Sequence, residues 1–345
     1  RGNLIGAMLG CLSCYPIPNG LTSGTTRKSE PNVHAVVFSV ITTVASVALN
    51  LPLTIRSSIH NSLINSRLID ICVTCIFGNT DNAQVVGSAL AALSCIVELH
   101  DSVIAAFEDW DIHKEQLLRN KEDISSNSIS VAPLFTASQM AHICLACMNA
   151  CDVAPVTESA QDHRRRVTST INNMCDCILV MSDNVNAAVL GELLFRNGVL
   201  TRLLTHTKTD GVHVTIIEGV CDVLGAIGAP NMTIGMERRE DERRRRKSLK
   251  SGVVSESKEA SSSRILSLVS SAELVSRRRI AAILADLLSV CVRDVRGTTA
   301  IVQCCAKLCQ NPYVCRNNTV SEALFNIVFS TTFSENTKHY ILPLH

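Results

Sequence analysis

Aromatic residues are scarce in this chain, at 3% with a single Trp. A core built on rings is therefore excluded. Apolar residues still make up 46% of 345 residues, so Ala, Val, Leu, Ile and Cys must fill the interior, as closely stacked helices allow. A dominant charge is missing too. With 32 basic against 31 acidic residues the net charge is +1, which argues against a specific nucleic-acid binder, whose affinity rests on a basic excess. No phosphate-cradling loop occurs, neither G-x-G-x-x-G nor G-x-x-x-x-G-K-[ST], and no H-E-x-x-H or G-x-S-x-G. GAIGAP (Gly225–Pro230) reads as a helix end. These absences predict a protein that is not an enzyme, with no cofactor and no small-molecule substrate. The opening RGNLIGAMLGCLSCYP lacks the apolar core of a signal peptide, and Arg1 in place of Met suggests a piece of a longer protein.

Cysteine, by contrast, is plentiful, at 16 residues. Cys95, Cys144, Cys221 and Cys305 sit inside apolar helical patterns, where free Cys acts as a small buried hydrophobe. Cys72-x-x-Cys75 and Cys144-x-x-Cys147-x-x-x-Cys151 resemble metal or redox spacings, but the second set is a core stripe at i, i+3, i+7 of one helix. A structural zinc site needs four convergent ligands. We expect no metal, and a reducing compartment: cytoplasmic, with nuclear or cytoskeleton-associated placement as alternatives. Val33–Leu49 carries no formal charge and is at the short limit for a membrane span. Ser39, Thr42, Thr43 and Ser46 form a polar stripe on it, so a packed helix is expected and a membrane is not.

One apolar template recurs, at i, i+1, i+4, i+5, i+8 and i+11, the spacing of one helix face. It reads Val36, Val37, Val40, Ile41, Val44, Val47, then Val85, Val86, Ala89, Leu90, Leu93, Ile96. It returns as Met140, Ala141, Cys144, Leu145, Met148, Cys151 and as Ile216, Ile217, Val220, Cys221, Leu224, Ile227. A last copy, Ile301, Val302, Cys305, Ala306, Cys309, breaks at Pro312. Recurrence over tens of residues signals a helical solenoid. Residues 1–32 read as largely irregular, 33–230 as repeats, 231–263 as a disordered charged and Ser-rich insertion, 264–330 as repeats continued and 331–345 as a tail. Asp81 is the expected N-cap of a helix over 82–98, residues 99–131 are expected to be less regular, with short helices over His100–Trp110 and His113–Asp123, and Asp152–Arg166 is expected to be a polar connection.

Three segments resemble armadillo repeats, with HEAT repeats as the neighbouring family. The best is ELLFRNGVLTRLLTHTKTDGVHVTIIEGVCDVLGAIG (Glu192–Gly228), with Gly198 before Leu200, Leu203 and Leu204 and then a longer helix; Arg67–Val97 and Arg277–Cys309 follow. With an imperfect copy in the segment 167–182, template starts fall at 36, 85, 140, 170, 216 and 301, less regular than the roughly 40–47 residues of such units. The resemblance implies an all-α, right-handed α-solenoid whose third helices line a concave groove, acting as a protein-binding scaffold or adaptor. It also implies two alternatives, a nuclear-transport-type cargo adaptor and a subunit of a cytoskeletal or ciliary assembly. Nuclear-import members carry a recurring Trp and Asn on the third helix; the matching places here are Ala91 and Cys95, Asp222 and Ala226, Lys307 and Asn311, of which only Asn311 fits.

On this template the groove-facing residues are Thr42, Ser46, Asn173, Asp176, Glu218, Asp222, Gln303 and Lys307. A protein partner with basic side chains is expected to lie along them. The block Glu237–Lys250 has eight basic and four acidic residues. Within it Arg243, Arg244, Arg245, Arg246 and Lys247 form a candidate basic signal, and Ser248 a candidate phosphosite whose phosphate would cancel part of that charge. A solvated linker between repeats is the simpler reading of the block and is preferred to both.

Overall fold

The computed structural model describes residues 6–7, 10, 33–118, 135–154, 159–182, 186–207, 214–229, 256–277, 279–291 and 294–333. Among them lie fourteen helices and no strand. In chain order they are α1 (Val33–Leu49), α2 (Leu53–Asn65), α3 (Leu68–Gly78), α4 (Ala83–Leu118), α5 (Ala137–Asp152), α6 (Ala160–Ser182) and α7 (Ala187–Arg196). Then come α8 (Val199–Thr207), α9 (Val214–Gly228), α10 (Glu256–Arg277), α11 (Ile280–Cys291), α12 (Val295–Leu308), α13 (Pro312–Cys315) and α14 (Asn318–Phe333). The chain divides into two compact units, Arg1–Thr136 with His142–Met181, and Ala137–Ala141 with Ser182–His345.

The same corner occurs three times. Arg67, Gly198 and Arg279 have φ of 55°, 71° and 56°, and each joins two helices, α2 to α3, α7 to α8 and α10 to α11. In each, the left-handed residue's amide donates to the carbonyl three residues back, Ile64 at 3.0 Å, Phe195 at 3.0 Å and Ser276 at 3.3 Å. Its carbonyl accepts from the amide four residues on, Ile71 at 3.1 Å, Arg202 at 3.0 Å and Ile283 at 3.0 Å. Glycine takes such a φ without steric cost, whereas the two arginines pay about 1 kcal/mol each. After each corner a short helix leads to a longer one, α4, α9 or α12.

Those longer helices lie beside parallel neighbours. In unit 1 the Thr170 hydroxyl of α6 donates to the Ala83 carbonyl of α4 at 2.7 Å, and the Asn173 amide donates to the Gly87 carbonyl at 2.9 Å. Farther along both helices the Asp176 charge acts on Cys95. In unit 2, Glu218 of α9 meets Arg296 of α12, Gly225 meets Lys307, and Gly228 meets Leu308. Residue numbers rise together in both pairs, so the helices run in the same sense. A short hairpin loop cannot join parallel neighbours; the helices between them return the chain.

The template faces are buried throughout in α4 and α9, where all six positions have little or no exposure. In α1 the face is different. Ala35, Val37, Phe38, Ile41, Ala45 and Ala48 are buried, while Val36 is 60% and Val47 55% exposed. The small residues of that stripe let α1 pack closely on α4. In α12 the buried set is Ile301, Cys304, Cys305 and Leu308, while Cys309 is exposed.

Several boundaries also differ from expectation. Asn82, not Asp81, caps α4, its side-chain oxygen accepting from the Val85 amide at 3.3 Å. α4 runs unbroken to Leu118, joining the separate short helices expected after residue 99 into one; Leu99 and Val103 keep the apolar face buried for another turn and more. α6 opens at Ala160 within the expected polar connection, with Ser159 accepting from the Asp162 amide at 3.1 Å. α10 opens at Glu256, inside the segment expected to be disordered. Within α4, Ala83–Ala106 is long and apolar enough to cross a membrane, but half of that window is buried against the protein; α1 is shorter.

Candidate functional site

Most of the cysteines are buried and all of those described are free. Burial pushes the Cys75, Cys177 and Cys305 thiols up to about 12 and drives Cys72 and Cys144 up as well. A protonated, buried thiol is neither a nucleophile nor a metal ligand. Among the described residues no three His, Cys, Asp or Glu side chains converge as a metal site requires. Cys144, Cys147 and Cys151 form a stripe in the core of unit 1.

The unit 1 candidates are largely committed to the fold. The Thr42 hydroxyl donates to the Phe38 carbonyl at 2.8 Å, one turn back in its own helix. Ser46 Oγ lies 3.4 Å from Cys95 Sγ, linking α1 to α4. Asn173 holds α6 on α4 through the Gly87 carbonyl. Asp176 alone of the four is exposed. Ser46 and Asn173 thus mark contacts between helices.

The unit 2 candidates come together as a strip on α9 and α12. α9 begins two residues before its buried face and ends at Gly228; α12 begins after Asp294, whose carboxylate accepts from the Gly297 amide at 3.0 Å. Gly297 lies close against Cys291 at the end of α11, and Ile217 of α9 is the next neighbour of that position. Glu218 and Asp222 are one turn apart on α9, and Arg296, Gln303 and Lys307 follow one another along α12. Arg296 donates to both Glu218 oxygens, Nε to Oε1 at 3.0 Å and a guanidinium NH2 to Oε2 at 2.7 Å. The bidentate fork satisfies Glu218, so Glu218 is not the open carboxylate that the sequence suggested. Arg296, missed by the sequence reading, lies 78 residues from Glu218, and no local charge pattern links them.

Asp222 differs. It is exposed, yet partial burial raises its carboxyl above the usual carboxylate range; the Lys307 ammonium works against that rise and Glu218 adds to it. Lys307 lays its alkyl stem over Gly225, where an added Cβ would lie 3.0 Å from Lys307 Cδ. Gln303 is exposed between these ends. The strip thus offers one carboxylate without a bidentate partner, one exposed amide and a flexible cation. It can hydrogen-bond a main chain and hold a cationic side chain.

Asn311, the one residue matching the family's recurring Asn, is 1% exposed. Its amide donates to the Gly228 and Leu268 carbonyls, both at 3.1 Å, and its side-chain oxygen accepts from the Tyr313 amide at 3.1 Å. It is a structural clasp and does not face a ligand. Arg243, Arg244, Arg245, Arg246, Lys247 and Ser248 lie outside the described residues. No family model, no curated protein and no solved structure matches this chain.

Proposed function

We propose that this chain is an armadillo- or HEAT-type helical-repeat scaffold that binds a protein segment on the α9–α12 strip and performs no chemistry of its own. The observation that carries this reading is the repeated left-handed corner leading to long helices with parallel neighbours. In a solenoid each repeat buries its apolar face against its neighbour, and a recurring corner of this kind is what such a repeat needs. The three segments resembling armadillo repeats each contain one of the corners. The bound segment is extended and carries a Lys or Arg that pairs with Asp222, while Gln303 contacts its main chain. The protonated core thiols favour a cytoplasmic or nuclear setting, where reductants keep cysteine free.

The test is fluorescence anisotropy against an array of extended peptides, each with a single basic anchor. Asp222→Arg is expected to weaken the best binders about ten-fold or more, consistent with about 1.4 kcal/mol or more for a close charge pair. Ser289→Arg on α11 is expected to change affinity less than two-fold, roughly the scale of a distant surface charge. Because the Asp222 carboxyl takes up a proton at higher pH than an ordinary carboxylate, binding should weaken as pH falls through that raised value and recover above it. Peptide affinities indifferent to Asp222→Arg and to pH would remove the strip from the account.

A further inference from the structure

Cys309 and Cys315 are the two described cysteines classed as exposed, and they are neighbours. Cys309 follows α12 and Cys315 ends α13. The Cys315 thiol donates to the Cys309 carbonyl at 2.8 Å. Partial burial, with the neighbouring Cys315 thiol adding to it, holds the Cys309 proton on. The intervening residues are anchored. Asn311 is clasped to the Gly228 and Leu268 carbonyls, and Val314 is buried. The corner therefore presents two thiols to solvent on a fixed frame while the other described thiols remain wholly or partly shielded.

We propose that Cys309 and Cys315 form a reversible redox site that closes to an intramolecular disulfide by exchange with a low-molecular-weight disulfide such as oxidised glutathione. One thiolate attacks a sulfur of the small disulfide, forming a mixed disulfide and releasing one glutathione thiolate. The second protein thiolate attacks the protein sulfur of the mixed disulfide, releasing the second glutathione. Two protein S–H bonds are lost and one S–S bond is formed. The small disulfide is reduced to two thiols, which take up the two protons. An accessible thiol with an adjacent resolving thiol is the arrangement that such exchange requires. Closure replaces the Cys315 thiol's hydrogen bond to Cys309 and ties α13 covalently to the end of α12. In a reducing compartment the bond forms only transiently, as redox-sensing disulfides do. This site stands independently of peptide binding.

The sequence supplies a direct readout. Trypsin cuts after Lys307 and Arg316, so both cysteines fall in the single peptide Leu308–Arg316. The reduced full chain is treated with oxidised glutathione, quenched with acid and alkylating agent, and mapped by mass spectrometry. The peptide is expected to lose two hydrogen masses at a rate roughly ten-fold or more above modification of the buried Cys304 and Cys305, as accessibility dictates. Cys309→Ser and Cys315→Ser, both at exposed positions, should each keep full helicity and stall as a glutathione adduct on the remaining thiol. Separate adducts on Cys309 and Cys315 of the unaltered chain without ring closure would overturn the proposal. So would a peptide that stays reduced while Cys304 and Cys305 react.

Discussion

Asn311→Asp is expected to destabilise the second unit by about 3 kcal/mol, and Asn311→Ala by about 2 kcal/mol, chiefly from the cost of stranding the buried Gly228 carbonyl. Helix α9 stops at Gly228, so the Gly228 carbonyl has no partner within the helix. Asn311 Nδ2 supplies one at 3.1 Å, and it reaches the Leu268 carbonyl of α10 at the same distance. Alanine leaves the Gly228 carbonyl without a donor in a place water does not reach, whereas Leu268, inside α10, keeps its bond along the helix. Aspartate keeps the bond from the Tyr313 amide, but it turns an oxygen toward two carbonyl oxygens, so repulsion adds to the loss. The exposed Asn326→Asp serves as control and should change stability by less than about 0.5 kcal/mol. Urea unfolding followed by circular dichroism, with hydrogen exchange on the last turn of α9, reads the difference. Equal midpoints for Asn311→Asp and Asn326→Asp would show that the clasp contributes nothing.

Gly87→Ala should destabilise the first unit by about 2 kcal/mol, although alanine favours a helix over glycine by about 1 kcal/mol. The opposing term is contact. A Cβ at Gly87 would lie 2.5 Å from Thr170 Oγ1 and 3.2 Å from Thr170 Cα. The hydroxyl is held by its bond to the Ala83 carbonyl, and the Cα belongs to the backbone of α6. Neither yields cheaply, so α6 must shift away from α4 and strain the Asn173 bond to Gly87 as well. The double variant Gly87→Ala with Thr170→Ala removes the closer clash. It is expected to be more stable than the sum of the single effects by about 1 kcal/mol, the coupling typical of residues in contact. Purely additive effects, or a more stable Gly87→Ala chain, would mean that the helices do not approach this closely.

The sequence reading was strongest where an apolar stripe was bordered by polar residues and ended by a breaker. α9 shows this: its six template positions are buried, and it ends at Gly228 just before Pro230. It was weakest in α1, where charge is absent and valine occurs on every side. The Ser39, Thr42, Thr43 and Ser46 stripe is uncharged and orients the helix weakly, so several stripes fit the spacing, and packing chose the one with Ala35, Phe38, Ile41, Ala45 and Ala48. Where charged residues continue a helix, its extent is harder to read: the end of α4 looks like separate short helices, and the start of α10 falls in a segment too polar to predict packing.

The candidate site was only partly legible. Spacing grouped Glu218 with Asp222 and Gln303 with Lys307, but it did not reveal Arg296, whose pairing with Glu218 depends on how α9 and α12 lie together. Asn311 matched a family pattern by position while its burial gives it another task. The hydroxyl of Thr42 and the amide of Asn173 had backbone partners that periodicity cannot show.

The α9–α12 strip as the binding surface is tested most directly by photo-cross-linking. A photoreactive residue is placed at Gln303 on the strip, or at Ser289 on α11, in otherwise unaltered chains. Each chain is mixed with the tightest basic-anchor peptide, irradiated and mapped by mass spectrometry. Adducts at Gln303, abolished by adding Asp222→Arg and absent at Ser289, are the predicted result. Adducts at Ser289 that persist with Asp222→Arg would contradict the account and move recognition to another face.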